Sequence, residues 1–343
     1  MSELKPYLVD VPVRVNIWIR PECQRRQFEV LKQARPSIMF LISDGGRNEK
    51  EWEAIRQNRA LFDNEIDWDC TVYKIYEDKN NGLYTMGKKG SELIWSLVDR
   101  CIFLEDDQVV SVSYFGFCAE LLEKYKEDTR IEAICAMNHA GVWEDTDNDY
   151  FFARCGSIWG LATWKRCYEE RSLGFAYAED KYTHKLILNN AKDYKRFQKR
   201  VNAYAVQDTY EGHIAGGEFF HDLAIYGQNK LYIVPKKNMM SNIGCTADGA
   251  HATEYKLMPR RSRRVFNMKI YELEFPLKHP KYVVADMKYE KKRAKIMNTD
   301  RFAPIRRFFG KIERMFLLLR YKGIGGIIER SKAKRARRKN IEK

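Results

Sequence analysis

The sequence predicts an α/β fold: a mixed, mainly parallel sheet flanked by helices, followed by a basic helical tail. Three observations predict it. Short β-branched runs alternate with helical segments over residues 11–104. Polar groups follow the first, second and fourth of those runs. The fourth run, CIFL, meets three carboxylates in a row, Glu105, Asp106 and Asp107, before apolar residues resume at Val109. An unpaired carboxylate is costly in a core, so a strand that ends this way ends at a polar rim.

The elements follow in order. Residues 11–19, VPVRVNIWI, alternate and are β-branched, so they read as a strand that Arg20-Pro21 ends. Residues 22–34 have helical character around Phe28, Val30 and Leu31, and Arg35-Pro36 breaks them. SIMFLIS (37–43) reads as a buried strand and SDGGR (43–47) as a turn. A helix over about 49–63 precedes a third strand, CTVYKIY (70–76). Lys79-Asn80-Asn81-Gly82 is a turn, and 84–98 is a helix with Leu93, Ile94, Leu97 and Val98 inward. Strand 101–104 then meets the acids. This β-α-β-α-β-α-β order implies parallel strands with helical crossovers on both faces. Such sheets bind ligands at the carboxyl ends of their strands, where Arg20-Pro21, Asp44-Gly45-Gly46-Arg47 and the triplet all fall.

The second half is less regular. AICAMNH (133–139) is a strand, and residues 150–170 are dense in aromatics and glycine before turning helical. Residues 181–200 read as a basic surface helix, and 217–238 as a helix, a turn and a strand. No internal repeat is visible. The domain reading is 1–255 for the main domain, in halves 1–110 and 111–255, with 256–300 as a connecting segment and 301–343 as the tail.

Composition narrows the class. The 343 residues are 45% hydrophobic, enough for a sizeable core, and 7 Trp, 20 Tyr and 18 Phe argue against disorder. No window reaches the roughly 18 apolar residues that span a bilayer, and the N-terminus lacks signal-peptide features. The eight cysteines show no Cys-x-x-Cys pair, so they read as reduced, buried thiols. Residues 301–343 hold 15 Lys and Arg against 3 Asp and Glu, which is +12 of the chain's +14. The charge therefore speaks of the tail and not of the body.

Adjacent carboxylates at a strand end suit a hard divalent cation. Mg²⁺ and Mn²⁺ prefer oxygen, and Mg²⁺ often takes only one or two protein carboxylates plus substrate phosphates. Taken alone, the triplet also reads as a solvated acidic turn. The glycine fingerprints of dinucleotide sites and P-loops are missing.

Company sharpens the triplet. PVRVNIWIRPE (12–22), FLISDGGR (40–47), NNGLYTMGKKG (80–90), IFLEDDQVVSVSYFGFCAELLEKY (102–125), YFFARCGSIWGLATWKR (150–166) and IVPKKNMMSNIG (233–244) occur in this order. Together they resemble metal-dependent, nucleotide-sugar glycosyltransferases of the GT-A fold. The resemblance spans roughly residues 10–252. It is nearest to bacterial, family 2-like sugar transferases related to N-acetylglucosaminyltransferase I.

The resemblance implies a Rossmann-like GT-A sheet, Mn²⁺ or Mg²⁺, and a nucleotide-sugar donor, a UDP-sugar foremost. It places Asp107 on the metal, Asp106 and Glu105 toward the donor's ribose and sugar, and Arg20 and Asp44 beside the base and ribose. Lys88 and Lys89 are candidates for the diphosphate, since Lys acts there as a point charge. GGEFFHDLAIYG resembles the acceptor-side helix, which makes Glu218 the first candidate base and Asp222 the second; Asp208 and Glu211 are further candidates. The family's usual acid pair is not present as adjacent residues. His251 is a candidate for another metal or phosphate contact, and Trp159 and Trp164 for stacking on sugar, although aromatics in such a run are more often core.

The tail joins an apolar stripe, Phe308, Ile312, Met315, Phe316 and Leu319, to a basic face. That pattern suits an anionic membrane surface and a lipid-linked or membrane-bound glycan acceptor. Nucleic acid is the rival partner, and none is expected, because no reading module accompanies the basic run. The sequence reading is a hexosyltransferase-class enzyme, cytoplasmic and peripheral on the inner face of the membrane. It moves a sugar to a hydroxyl of lipopolysaccharide, capsule or exopolysaccharide, with inversion. The alternatives are a sugar-1-phosphate nucleotidyltransferase, whose glycine-rich loop is replaced here by IRPE, and a non-enzymatic binder acting through the tail.

Overall fold

The computed structural model describes residues 4–170, 175–192, 194–207, 209–210, 213–245 and 255–341. The first half holds β1 (Val9–Ile17), α1 (Pro21–Ala34), β2 (Pro36–Ser43), α2 (Glu49–Glu65), β3 (Thr71–Tyr76), α3 (Leu83–Leu97), β4 (Arg100–Leu104) and β5 (Gln108–Val110). Then come α4 (Ser113–Lys124), β6 (Ile131–Cys135), β7 (Tyr150–Ala153), β8 (Leu161–Trp164), α5 (Lys165–Glu169), α6 (Lys181–Asn190) and α7 (Lys195–Gln207). The chain continues through β9 (Thr209–Tyr210), β10 (His213–Ile214), α8 (Gly217–Gly227), β11 (Leu231–Pro235) and β12 (Met240–Asn242). The last elements are α9 (Arg260–Arg263), α10 (Met287–Met297) and α11 (Ala303–Ile341). The basic stretch at 181–200 is two helices, α6 and α7, and not one.

The main sheet has eight strands in the order β3-β2-β1-β4-β8-β6-β11-β7. β1 pairs in parallel with β2 and β4, β2 with β3, and β6 with β11. β8 is antiparallel to both β4 and β6, and β7 to β11. Six strands therefore run one way and two the other, a mixed and mainly parallel sheet. The chain winds outward from β1 to β3, then crosses back to place β4 on β1's other side. That reversal makes the carboxyl ends of β1 and β4 the switch point at which open α/β sheets bind ligands.

Local chemistry explains the elements. Every residue from Val11 to Val15 is buried, Arg14 included, as befits a central strand covered on both faces. α1 starts with Pro21 at its first position and buries Gln24, Gln27, Phe28 and Leu31 at helical spacing. It ends where Arg35 adopts a left-handed conformation ahead of Pro36. Phe28 meets Phe62 edge-on at 5.2 Å, joining α1 to α2 over the sheet. A second core gathers Phe151, Tyr204, Phe219, Tyr226 and Tyr289 around β6, β7, α7 and α8. Burying each such ring stabilises by about 1.5–3 kcal/mol.

Residues 256–300 are more than a connection. Leu273, Leu277, Tyr289 and Ile296 are buried in the body, and Glu290 pairs with Arg154 at 2.9 Å. Leu273 and Leu277 join the core of the main sheet and Tyr289 the second core, a role that the segment's polar-rich sequence hides.

α11 carries the tail, and non-helical backbone at Gly323 divides it. The helix turns Ala303 and Leu318 toward the body, and Glu313 accepts from the Arg260 N–H at 2.8 Å. Of the apolar stripe, Phe308, Met315, Phe316 and Leu319 are exposed, and only Ile312 is partly covered. Among the described residues no helix is long and apolar enough to cross a membrane. All eight cysteines are free, six of them buried.

Candidate functional site

The site is assembled at the carboxyl ends of β1 and β4. Leaving β1, the chain places Arg20 directly before α1; leaving β4, it makes the Glu105-Asp106-Asp107 turn. Arg20 Nη1 donates to Asp107 Oδ2, and Arg20 Nε lies 3.6 Å from Asp106 Oδ2. Asp106 and Asp107 are buried, at 6% and 9% exposure. Burial pushes the Asp106 carboxyl up to about 7, with Asp107 and Glu105 adding to the rise and Arg20 opposing it. Glu105 is reached by solvent. The surrounding protein and Asp107 still push its carboxyl upward, an effect that this solvent blunts.

Two buried glutamines fix the acidic turn. Gln27 Nε2 donates to the carbonyls of Glu105 at 2.7 Å and Gln108 at 2.8 Å. Gln108 Oε1 accepts from the Gly160 N–H at 2.8 Å. Gly160 has a positive φ of 62°, and a Cβ there would lie 2.7 Å from Ala136 Cβ. The glycine of GSIWG is thus the hinge that seats the aromatic segment against the acidic turn.

The far motif NMMSNIG arrives through the β12–β5 ribbon. Asn242 Nδ2 donates to Asp107 Oδ1 at 3.2 Å, and the Ile243 N–H to the Asp107 carbonyl at 2.9 Å. Gly244 packs against the pair: a Cβ there would lie 2.5 Å from Arg20 Nη1 and 2.7 Å from Asp107 Cβ. Sequence reasoning missed Gln27, Gln108, Asn242 and Gly244 as individual residues. Gln108, Asn242 and Gly244 lie inside segments already singled out, whereas Gln27 carries no local signal at all.

The other sequence candidates fall in distinct places. Asp44 is buried and accepts from the N–H groups of Gly45, Asn81 and Gly82 at 2.8–2.9 Å and from Asn80 Nδ2 at 3.1 Å. Its carboxylate clamps the 80–82 turn onto the rim. Lys88 projects into solvent, its side chain 75% exposed, 3.8 Å from Glu92 on its own helix. Lys89 pairs with Glu77 at 2.7 Å. Trp164 is core, donating to the Leu122 carbonyl at 2.9 Å, while Trp159 packs on Phe266. His251, Asp208 and Glu211 lie outside the described residues.

On the second half of the rim, Arg200 joins Glu218 and Asp222. It pairs closely with Asp222 and stands 3.7 Å from Glu218, one turn earlier on α8. Glu218 is open to solvent, with its side chain 62% exposed, while Asp222 is partly buried. Burial and then the negative charge of Glu218 push the Asp222 carboxyl up to about 6 against the pull of Arg200. α8 begins beside α3, since a Cβ on Gly216 would lie 3.2 Å from Tyr84. Behind it, His221 Nδ1 meets buried Glu132 at 2.8 Å, and Lys230 Nζ reaches Glu132 at 3.4 Å and also pairs with Glu170.

Among the described residues no three His, Cys, Asp or Glu side chains form a cation set. The acidic turn nevertheless fits a hard cation bound through one or two carboxylates. Asp106 Oδ2 is buried with no hydrogen-bond partner, and Asp107 Oδ2 faces the same point.

No protein-family model and no curated protein matches the chain. Solved structures do. The mannosyltransferase PcManGT from Pyrobaculum calidifontis, in complex with GDP-Man and Mn²⁺, matches at 11% identity and a TM-score of 0.35, over 66% of this chain and 73% of its own. S. aureus TarS 1–349 matches at 7% identity and a TM-score of 0.38, over 69% of this chain. This chain spans 61% of that TarS fragment. Mouse xyloside xylosyltransferase 1 matches at 13% identity and a TM-score of 0.36, over 66% of this chain and 85% of its own. With TM-scores this low, the likenesses stand only as similarities.

Proposed function

We propose that the protein is a GT-A type, metal-dependent glycosyltransferase that moves a sugar from a nucleotide-sugar to a hydroxyl of a glycan or lipid-linked acceptor. One observation carries the reading: a buried acid pair at the carboxyl ends of β1 and β4, faced by an arginine and sealed by the chain's own far motif. Asp107 and Asp106 would hold Mn²⁺ or Mg²⁺. The bound ion would supply charge neutralisation for a diphosphate leaving group. Asp44 shapes the loop over the nucleotide by clamping Asn80–Gly82. Glu218, exposed at the opening of α8, takes the acceptor hydroxyl's proton as that oxygen attacks, which is the inverting course. Asp222 stays protonated more readily and, with Arg200, orients that end of the helix.

The outward face of α11 supports a place on the inner leaflet. A helix docked on a protein normally turns polar residues outward, yet this one exposes Ile305, Phe308, Phe309, Phe316 and Leu319 among Arg307, Lys311 and Arg320. Apolar insertion and cationic attraction to anionic lipid act together there.

Calorimetry with UDP, GDP and CMP, with and without Mn²⁺, tests the donor site. One nucleotide is expected to bind only with Mn²⁺, with the affinity falling at least ~100-fold in Asp107→Ala. That is about 2.7 kcal/mol, in the range for a lost charged hydrogen-bonding partner. Folded protein that binds none of the three would end this reading.

A further inference from the structure

Arg20 stands where a cation on the acid pair would have to stand. Asp107 Oδ2 and Asp106 Oδ2 both face its guanidinium, through Nη1 and Nε respectively. Asp107's other oxygen, Oδ1, is taken by Asn242 at 3.2 Å. Gly244 closes the far side so tightly that even a methyl group would strike the guanidinium. The Arg20 side chain is 10% exposed, so the ion pair is screened little by water. A guanidinium that faces both Oδ2 atoms occupies the side from which a cation would bridge them, and two positive charges that close repel.

The hold is also incomplete. Arg20 Nε and Asp106 Oδ2 are both buried, face each other at 3.6 Å, and make no hydrogen bond. A buried donor and acceptor left unmade destabilise the arrangement that leaves them so. One good bond, to Asp107, keeps Arg20 in place. A ligand that offers the guanidinium two oxygens at once would satisfy what the acid pair leaves unsatisfied. A diphosphate does this, since the planar fork of arginine matches phosphate oxygens bidentately.

We infer that Arg20 is a positioning residue that keeps the Asp106–Asp107 pair closed to divalent cations until a nucleotide's diphosphate draws its guanidinium away. The displacing ligand rests on the donor reading above; the competition between Arg20 and the cation does not. Linkage then requires reciprocity: the nucleotide raises Mn²⁺ affinity by the same factor by which Mn²⁺ raises nucleotide affinity, typically 5–150-fold.

The test is Mn²⁺ alone, titrated into full-length wild type, Arg20→Gln, Arg20→Lys and Asp107→Asn, with free Mn²⁺ read by electron paramagnetic resonance and folding checked by circular dichroism. Wild type is expected to bind Mn²⁺ weakly without nucleotide. Arg20→Gln should bind it at least ~10-fold more tightly, and Asp107→Asn should lose binding in either background. Adding the nucleotide that binds should tighten Mn²⁺ at least ~10-fold in wild type and by a smaller factor in Arg20→Gln, where only the attraction between the phosphates and the ion remains. Equal or weaker Mn²⁺ binding by folded Arg20→Gln overturns the inference. Should that variant not fold, Arg20→Lys decides: its mobile point charge should still loosen the block by about threefold, and unchanged affinity overturns it. A nucleotide that binds without tightening Mn²⁺ overturns the coupling and, by reciprocity, the metal dependence of the donor reading as well, whereas unchanged Mn²⁺ affinity in folded Arg20→Gln overturns this inference alone. Absence of all nucleotide binding ends the donor reading, and the Mn²⁺ titrations alone then judge the competition.

Discussion

The rim has two halves, held by different means. From β3 to β4 the polar groups are fixed mostly by backbone. Asp44 takes three N–H groups of its own and the neighbouring turn, Gln27 grips two carbonyls of the acidic turn, and Asn242 is delivered to Asp107 by a paired strand. From β6 to α8 the polar groups are fixed by charge. Glu132, His221 and Lys230 form a buried cluster under α8 that reaches out to the partly exposed Glu170, and Arg200 pins two acids on the helix's outer face. Backbone hydrogen bonds leave little room for alternative geometries. Ion clusters depend on every member being present and on which of them carry protons. The first half therefore suits a ligand of fixed shape, and the second a site whose geometry answers to pH and substitution.

The largest effect that separates the halves should come from Lys230→Met. Lys230 is 2% exposed, and its loss leaves Glu132 and Glu170 without a shared cation. Removing one partner of a buried pair costs about 3–5 kcal/mol, which urea unfolding would register as a lowered midpoint. Comparable stability in the variant would show that the cluster does not anchor α8. Next in size is Arg200→Gln, which frees Glu218 and Asp222 together. Turnover is expected to fall about 10–100-fold while nucleotide affinity stays as in wild type. Loss of nucleotide binding instead would mean that the halves are not separable.

A smaller effect lies in pH. Asp222 titrates near 4 in an unfolded chain and at about 6 when folded. The folded chain thus holds the extra proton between about pH 4 and 6, and stability from this group falls as pH rises through that window. Asp222→Asn should flatten that slope by about 1 kcal/mol, a modest figure because water reaches 29% of the side chain. An unchanged slope would place the titration elsewhere. The smallest change in stability belongs to the tail. Phe308→Ser with Phe316→Ser should move stability by less than about 0.5 kcal/mol, since both rings are already exposed. The same pair should lose binding to vesicles rich in anionic lipid in a flotation assay; retained binding would remove the membrane reading.

The first half was the legible one. Strand and helix bounds over residues 9–104 are those the alternation and the Pro breaks predict, to within two residues. Parallel strands buried on both faces leave a strong hydrophobic signal, and Arg20, Asp44 and Asp107 lie at strand ends because polar residues can only follow such runs at a rim. The second half was less legible for a physical reason. Its strands β7 and β8 are four residues each, and residues 256–300 supply core side chains from a segment that reads as polar. Lys88 shows the same limit on a small scale. Its place after a turn suggested the rim, but one helical turn decides which way it points, and it points to solvent.

The sequence by itself determined that a hydrophobic strand ends in Glu105, Asp106 and Asp107 and that the polar residues of the first half share one edge of a sheet. Those are consequences of burial and of the period of a strand. Only the tertiary structure decided who meets those acids. Arg20 is 87 residues away along the chain from Asp107, and Asn242 is 135 away. Their meeting depends on the strand order that sets β4 beside β1 and on the ribbon that returns β12 to β5. No local propensity encodes a contact at that separation; the packing of the whole sheet does.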